Sequence, residues 1–300
     1  MKKTIVVFGA TGGQGGSVAR NLLSLGRYNV RAVTRKPDSP AAQKLRELGA
    51  EIAVADLDSP PSLNAALRGA DGVFGVTNFW EHFSREEQQG RHLVEAVAAA
   101  DVEHFVFSTL EPIAKATGGR LRSPHFDIKA EHEELARAKG IASTFVHVAF
   151  YYENFLAFFP PQPAGDGSYQ FGFPQGDTPL AAVAVEDVGK VVAPLFERPA
   201  TGKVIKVAGD EMPAAEYAAI LTNIVGADIR YSHIPRETYA ALGFPGAEDL
   251  ADMFEYYRVH IPRRERDIEA CRAIAPGLQT FATWAQRNQA RLRAAILKAA

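Results

Sequence analysis

The feature that most constrains this chain lies in its first forty residues. An apolar, β-branched run, Thr4-Ile5-Val6-Val7-Phe8, stops at a glycine cluster, Gly9-Ala10-Thr11-Gly12-Gly13-Gln14-Gly15. A helix-patterned segment follows, and a second apolar run, Val30-Arg31-Ala32-Val33-Thr34, ends in two cations, Arg35 and Lys36. Strand, glycine loop, helix and strand come in the order that a dinucleotide site requires. Gly9 permits the tight turn, Gly12 lets backbone N–H groups approach a pyrophosphate, and Gly15 lets the helix pack close to the sheet. The helix N-terminus adds partial positive charge where the phosphates would sit. Glycines also mark ordinary turns, so the flanking strand and helix carry the reading.

The second strand bears on which dinucleotide. Sites for NAD usually place Asp or Glu about twenty residues after the loop, on the ribose 2′-OH. Here that region reads Thr34-Arg35-Lys36, with no acid before Asp38. A carboxylate would repel a 2′-phosphate, whereas Arg makes charge-assisted, often bidentate bonds to it. Two cations also suit a solvated strand end. Behind this glycine loop they point to NADP(H) rather than NAD(H).

Composition narrows the rest. The 300 residues are 47% hydrophobic, enough for a large core and for one big domain or one and a half. The net charge of −2 gives no global basic field for nucleic acid or anionic membrane, and no recognition motif is present. No apolar stretch approaches membrane-spanning length. The apolar run after Met1-Lys2-Lys3 is too short for a signal segment. The single cysteine, Cys271, excludes an intramolecular disulfide framework and fits a reducing compartment. A cytoplasmic protein is expected, with entry into a nucleus left open.

Six strand-like runs occupy the first half: Ile5–Phe8, Val30–Thr34, Glu51–Ala55, Gly72–Val76, Phe105–Ser108 and Thr144–Val148. Helix-like segments separate them, at Gly16–Leu25, Ala41–Leu48, Pro61–Ala66, Glu86–Ala100 and Lys129–Lys139. This alternation predicts an α/β fold with a Rossmann-type doubly wound parallel sheet over residues 1–150. Residues 151–300 mix short strands at Ser168–Phe173 and Lys203–Val207 with helices, the last at Leu278–Lys298. They read as a smaller mixed α/β lobe on the substrate side, some of whose segments return to the Rossmann sheet.

Several segments together carry a family likeness. They are the glycine loop with Gly16-Ser17-Val18-Ala19-Arg20, then Val33-Thr34-Arg35, Thr77-Asn78-Phe79-Trp80-Glu81, His125-Phe126-Asp127-Ile128-Lys129, Tyr151-Tyr152-Glu153-Asn154 and Gly243-Phe244-Pro245-Gly246-Ala247. In these the chain resembles the NmrA-like group of atypical short-chain dehydrogenase/reductases, and within it the NADPH-sensing NmrA-like domain proteins, over nearly its whole length. The resemblance implies roles. Gly9 through Gln14 would wrap the pyrophosphate, and Arg35 with its neighbours would meet the 2′-phosphate. Asp56 and Leu57 would border the adenine. Thr77, Asn78 and Phe79 would line the ribose and diphosphate side. Lys129 would hydrogen-bond the nicotinamide ribose, and Tyr151, Tyr152, Glu153 and Asn154 would close over the nicotinamide. The segment Gln88-Gln89-Gly90 lacks a lysine that some sensor proteins direct at the cofactor.

Active short-chain dehydrogenases commonly use Tyr-x-x-x-Lys, whose two side chains share one helix face. The lysine lowers the tyrosine pKa, and the phenol handles the proton that accompanies hydride. Here the pattern is His125-x-x-x-Lys129. An imidazole can in principle donate a proton, but a satisfied structural histidine is the favoured reading. His125, Lys129 and His132 do not make a metal-ligand set. An intact cofactor site without the usual tyrosine favours the first of two functions and leaves the second as the alternative. One is an NADP(H)-binding redox sensor or regulator, with a regulatory protein partner or a homodimer as its output. The other is an NADPH-dependent reductase of quinones or related small electrophiles, with Lys129 and His125 as the candidate catalytic pair.

Overall fold

The computed structural model describes residues 2–261 and 263–297. The chain divides into two compact units. One comprises Met1–Pro112, His125–Val148 and Val185–Lys206, the other Ile113–Pro124, Ala149–Ala184 and Val207–Ala300. Each is therefore assembled from interleaved segments.

The first unit is built on a seven-stranded sheet. Its strands are β1 (Thr4–Val7), β2 (Asn29–Thr34), β3 (Glu51–Val54), β4 (Gly72–Gly75), β5 (His104–Thr109), β6 (Ser143–Val148) and β7 (Val204–Val207). Their order is β7-β6-β5-β4-β1-β2-β3. The pairings among β1 to β6 are all parallel. Strand order thus reverses between β1 and β4, and ligands of open α/β sheets bind beyond the strand ends at such a switch point. The strands read as continuous apolar runs because helices cover both faces. Val6, Val73, Phe105, Phe107 and Phe145 pack with Leu63, Leu93 and Val97 from the helices in one buried cluster.

Two returns from the second half complete this unit. The run expected at Lys203–Val207 is β7, which sits at the sheet edge beside β6. The helix Val185–Val192, which no sequence pattern singled out, lies against the helix Gly13–Leu25. Ser17 Oγ donates to the Glu186 carbonyl at 2.6 Å and accepts the Gly189 N–H at 2.9 Å. A Cβ at Gly189 would stand 2.3 Å from the Ser17 carbonyl oxygen, so the two backbones touch.

The helix after β5 spans Pro124–Ala138 and begins five residues before the expected Lys129. Proline suits its first position, where its missing N–H costs nothing. His125 is consequently helical and shares a face with Lys129.

The second unit holds two small three-stranded sheets. Leu180–Val183 pairs antiparallel with Asp210–Met212 and parallel with Phe150–Tyr151. Tyr169–Phe173 lies between Ile229–His233 and Gln162–Pro163. Aromatic rings fill its core, with Phe173 stacked on Phe254 at 4.3 Å. The expected helix Leu278–Lys298 is interrupted at Asn288, giving Phe281–Arg287 and Gln289–Ile296. Lys298 lies outside the described residues. Among those residues no helix is long and apolar enough to cross a membrane.

Candidate functional site

The parallel strands β1, β2, β3 and β4 bring most of the expected residues of the first unit to one end of the sheet. At β1, Gly9 has φ +64°, a left-handed conformation that L side chains rarely adopt. A Cβ at Gly15 would stand 2.4 Å from the carbonyl oxygens of Phe8 and Gly9, so only glycine lets the helix start this close to the strand. The helix Gly13–Leu25 is capped by Gly12, which offers no side-chain acceptor, and no acid stands in its first turn. Gly9, Thr11, Gly12 and Gly13 are exposed, Gln14 is half-buried, and Ala10 is buried. A helix start with no acid and no side-chain cap suits an external anion, and these residues fit a dinucleotide diphosphate.

At the end of β2, Thr34 Oγ1 accepts the Lys36 N–H at 3.1 Å and lies 3.4 Å from Thr11 Oγ1. Arg35 and Lys36 are exposed. The Arg35 guanidinium donates to the Glu81 carboxylate, an ion pair that raises its pKa. At the end of β3, the Asp56 N–H donates to Ser62 Oγ at 3.0 Å, and its Oδ1 accepts the Asp58 N–H at 3.0 Å. The Leu57 carbonyl lies 2.8 Å from His92 Nδ1.

Beyond β4, Thr77 is buried and Asn78 exposed. The Phe79 ring is buried in a cluster, with ring centroids 5.3 Å from Trp80, 5.2 Å from Phe83 and 5.9 Å from His125. Lys129 reaches this strand end from the helix Pro124–Ala138. Its Nζ donates to Thr77 Oγ1 at 2.9 Å, to the Thr77 carbonyl at 3.1 Å and to the Glu86 carboxylate. An ammonium has three N–H bonds, and all three are engaged. Burial pushes the Lys129 pKa down against the pull of Glu86. The Glu86 side chain is fully buried, and its Oε2 has no hydrogen-bond partner among the described residues.

His125 stands one turn before Lys129 with only 7% exposure. Its ring lies 5.1 Å from Trp80 and 4.7 Å from Phe126, centroid to centroid. One turn after Lys129, at the ends of β5 and β6, Glu133 Oε2 accepts from Thr109 Oγ1 at 2.7 Å and meets His147 Nε2 at 3.0 Å. Glu111 Oε2 faces the other ring nitrogen at 3.6 Å. Burial works against a charged His147, but the Glu111 and Glu133 carboxylates outweigh it and raise its pKa.

Tyr151 through Asn154 belong to the second unit. Tyr152 is fully buried, with its hydroxyl 3.3 Å from the Gln279 carbonyl and its ring beside Phe281 and Trp284. Glu153 accepts the Trp284 indole N–H at 3.0 Å. Tyr151 is half-buried, and the Asn154 carbonyl accepts three following N–H groups.

Sequence reading missed Glu86, Glu133 and His147, and quoted Glu81 without giving it a role. The only signal for Glu86 was an acid in a helical first turn, which ordinarily serves the helix dipole. Glu133 and His147 lie 14 positions apart and meet only through the packing of helix on sheet.

Comparison with known proteins agrees with this architecture. An oxidoreductase from Cladobotryum sp, FrzB, described as containing an NmrA-like family domain, is 33% identical over 278 residues, which cover 84% of this chain and 83% of the relative. NmrA, a negative transcriptional regulator solved in complex with NADP, superimposes with a TM-score of 0.79 at 22% identity, covering 95% of this chain and 94% of that one. The NADPH-dependent quinone oxidoreductase QOR2 from Escherichia coli, complexed with NADPH, gives a TM-score of 0.77 at 23% identity, covering 95% and 98%. The family model described as NmrA-like family matches residues 1–277, and the chain belongs to that family.

Proposed function

We propose that the chain binds NADP(H) at the β1–β4 switch point and reduces small electrophiles of the quinone class. The observation that carries this reading is Lys129, a buried side chain held at the end of β4, together with a glycine-loop helix at the end of β1 that has no side-chain cap. A bound nicotinamide nucleotide supplies hydride. The loop amides would hold its diphosphate, Arg35 would face a 2′-phosphate, and Lys129 would give one of its Thr77-directed N–H bonds to a ribose hydroxyl. Glu86, itself shielded from water, opposes the loss of charge that burial favours at Lys129. No tyrosine stands one turn before Lys129, so an acceptor that takes its protons from solvent suits the site better than one that needs a phenol. The names of the Cladobotryum relative and of QOR2 support a reductase.

A second reading, a redox sensor, draws on His125. Its ring is packed among Phe79, Trp80 and Phe126, as befits a structural histidine more than a proton donor. One experiment separates the two. NADPH is titrated into the protein by fluorescence, and a panel of quinones is then added to the complex. Multiple turnovers that disappear in Lys129→Met establish a reductase. Stable binding without oxidation establishes a sensor. Absence of binding refutes both.

A further inference from the structure

The Arg35–Glu81 ion pair has a particular place in the fold. Arg35 directly follows β2, and Glu81 lies six residues beyond β4. β1 and its glycine loop lie between those strands. The pair therefore joins the two flanks of the switch point, where a dinucleotide would lie. Arg35 is the guanidinium that a 2′-phosphate would need, and its side-chain partner is a carboxylate. Both are anions with planar or tetrahedral oxygens that accept from the same N–H groups, so they compete for them. Asp56 and Asp58 add further negative charge around Arg35.

Glu81 sits in a segment under local constraint. Phe83 holds φ +42°, which non-glycine residues rarely adopt. The segment is strapped a second time by Arg85, whose guanidinium donates to Asp58 at 2.9 Å. Asn78 Nδ2 also reaches Glu81 at 3.4 Å. Between these straps, Trp80 lies against His125, one turn from Lys129.

We infer that Glu81 is a specificity-determining residue, a placeholder for the 2′-phosphate. A 2′-phosphorylated nucleotide must take Arg35 from Glu81, whereas a nucleotide with a free 2′-OH can leave the pair closed. Opening the pair removes one of the two ionic straps on residues 79–85 and, through Trp80, changes the packing on His125. The choice of nucleotide at one end of the crevice is thereby coupled to the helix that carries Lys129 at the other. A coupling of this kind exists only because the two nucleotides interact differently with the closed and open states. The inference rests on the NADP(H) reading above and adds the residue that tunes it.

The experiment compares 2′,5′-ADP with 5′-AMP, and NADPH with NADH, on wild type and Glu81→Gln. Glu81→Gln is expected to bind both 2′-phosphorylated nucleotides roughly two- to fivefold tighter, the scale of an exposed ion pair, with 5′-AMP and NADH unchanged. Tryptophan emission gives a second reading, since the chain has two tryptophans, Trp80 and Trp284. 2′,5′-ADP should shift emission in wild type but not in Trp80→Phe, and 5′-AMP should shift neither. Equal changes for both nucleotide classes in Glu81→Gln, or equal emission shifts with 2′,5′-ADP and 5′-AMP, would overturn the placeholder role while leaving NADP(H) binding intact. Failure of wild type to bind NADPH at all would overturn the underlying reading and this inference together.

Discussion

At the scale of single residues, the decisive unit is the buried pair Lys129–Glu86. Each charge is tolerable inside the protein because the other is there, and Thr77 supplies the remaining acceptors. Removing one partner leaves the other charged, buried and unpaired, which is far costlier than removing both. Lys129→Met is therefore expected to destabilise the protein by about 3–5 kcal/mol in urea unfolding. Lys129→Met combined with Glu86→Gln should recover most of that loss, because a neutral amide replaces the stranded carboxylate. If the double variant is no more stable than Lys129→Met alone, Glu86 is not the group that Lys129 neutralises. The pairing was not legible in the sequence: Lys129 stood out by its spacing from His125, but nothing marked the acid 43 positions away that sets its charge.

At the scale of elements, the helix Pro124–Ala138 carries its functional groups one turn apart, with His125, Lys129 and Glu133 on one face. Glu133 docks the helix on β6 through His147, whose pKa is raised in the fold. The charged groups around this ring are Glu111 and Glu133, with Arg137 on Glu133 and Lys206 on Glu111. A histidine whose folded pKa exceeds its ordinary 6.5 binds its proton more tightly when folded. Its contribution to stability is full below about pH 6.5 and is lost as pH rises through the folded value. Denaturation midpoints measured from pH 5 to pH 9 should fall over that window in wild type and fall less in His147→Gln. The contact between helices Gly13–Leu25 and Val185–Val192 is similarly particular. Gly189→Ala should cost about 1–3 kcal/mol, because the added Cβ meets a backbone carbonyl that has little room to move. A wild-type urea midpoint in that variant would mean that the helices separate at little cost. Strand and helix positions in the first half were legible because each is a strong periodic run bounded by glycine, proline or polar residues. The helix Val185–Val192 was not, since eight residues between two strands give too short a pattern.

At the scale of the whole molecule, the sheet is completed by chain that arrives late. A fragment of residues 1–150 retains β1 to β6 but loses β7 and the helix Val185–Val192. It exposes the β6 edge and the face of Gly13–Leu25 that holds Ser17. Such a fragment is expected to show no cooperative thermal transition by circular dichroism. A two-state melt near that of the full chain would mean that the returning segments are dispensable.

The α/β class, the glycine loop at the end of β1, the cations after β2 and the lysine after β5 can all be read from the chain alone. These depend on local backbone demands and on periodicities of two and 3.6, which are written in neighbouring residues. Tertiary structure alone decided that Arg35 faces Glu81, that Lys129 is held by Glu86 and Thr77, and that His147 lies between two carboxylates. Those pairs join residues 14 to 52 positions apart, and their charges and partners are set by burial and proximity. No local pattern encodes either quantity, so the chemistry of the crevice becomes definite only when the sheet is closed and the helices are laid against it.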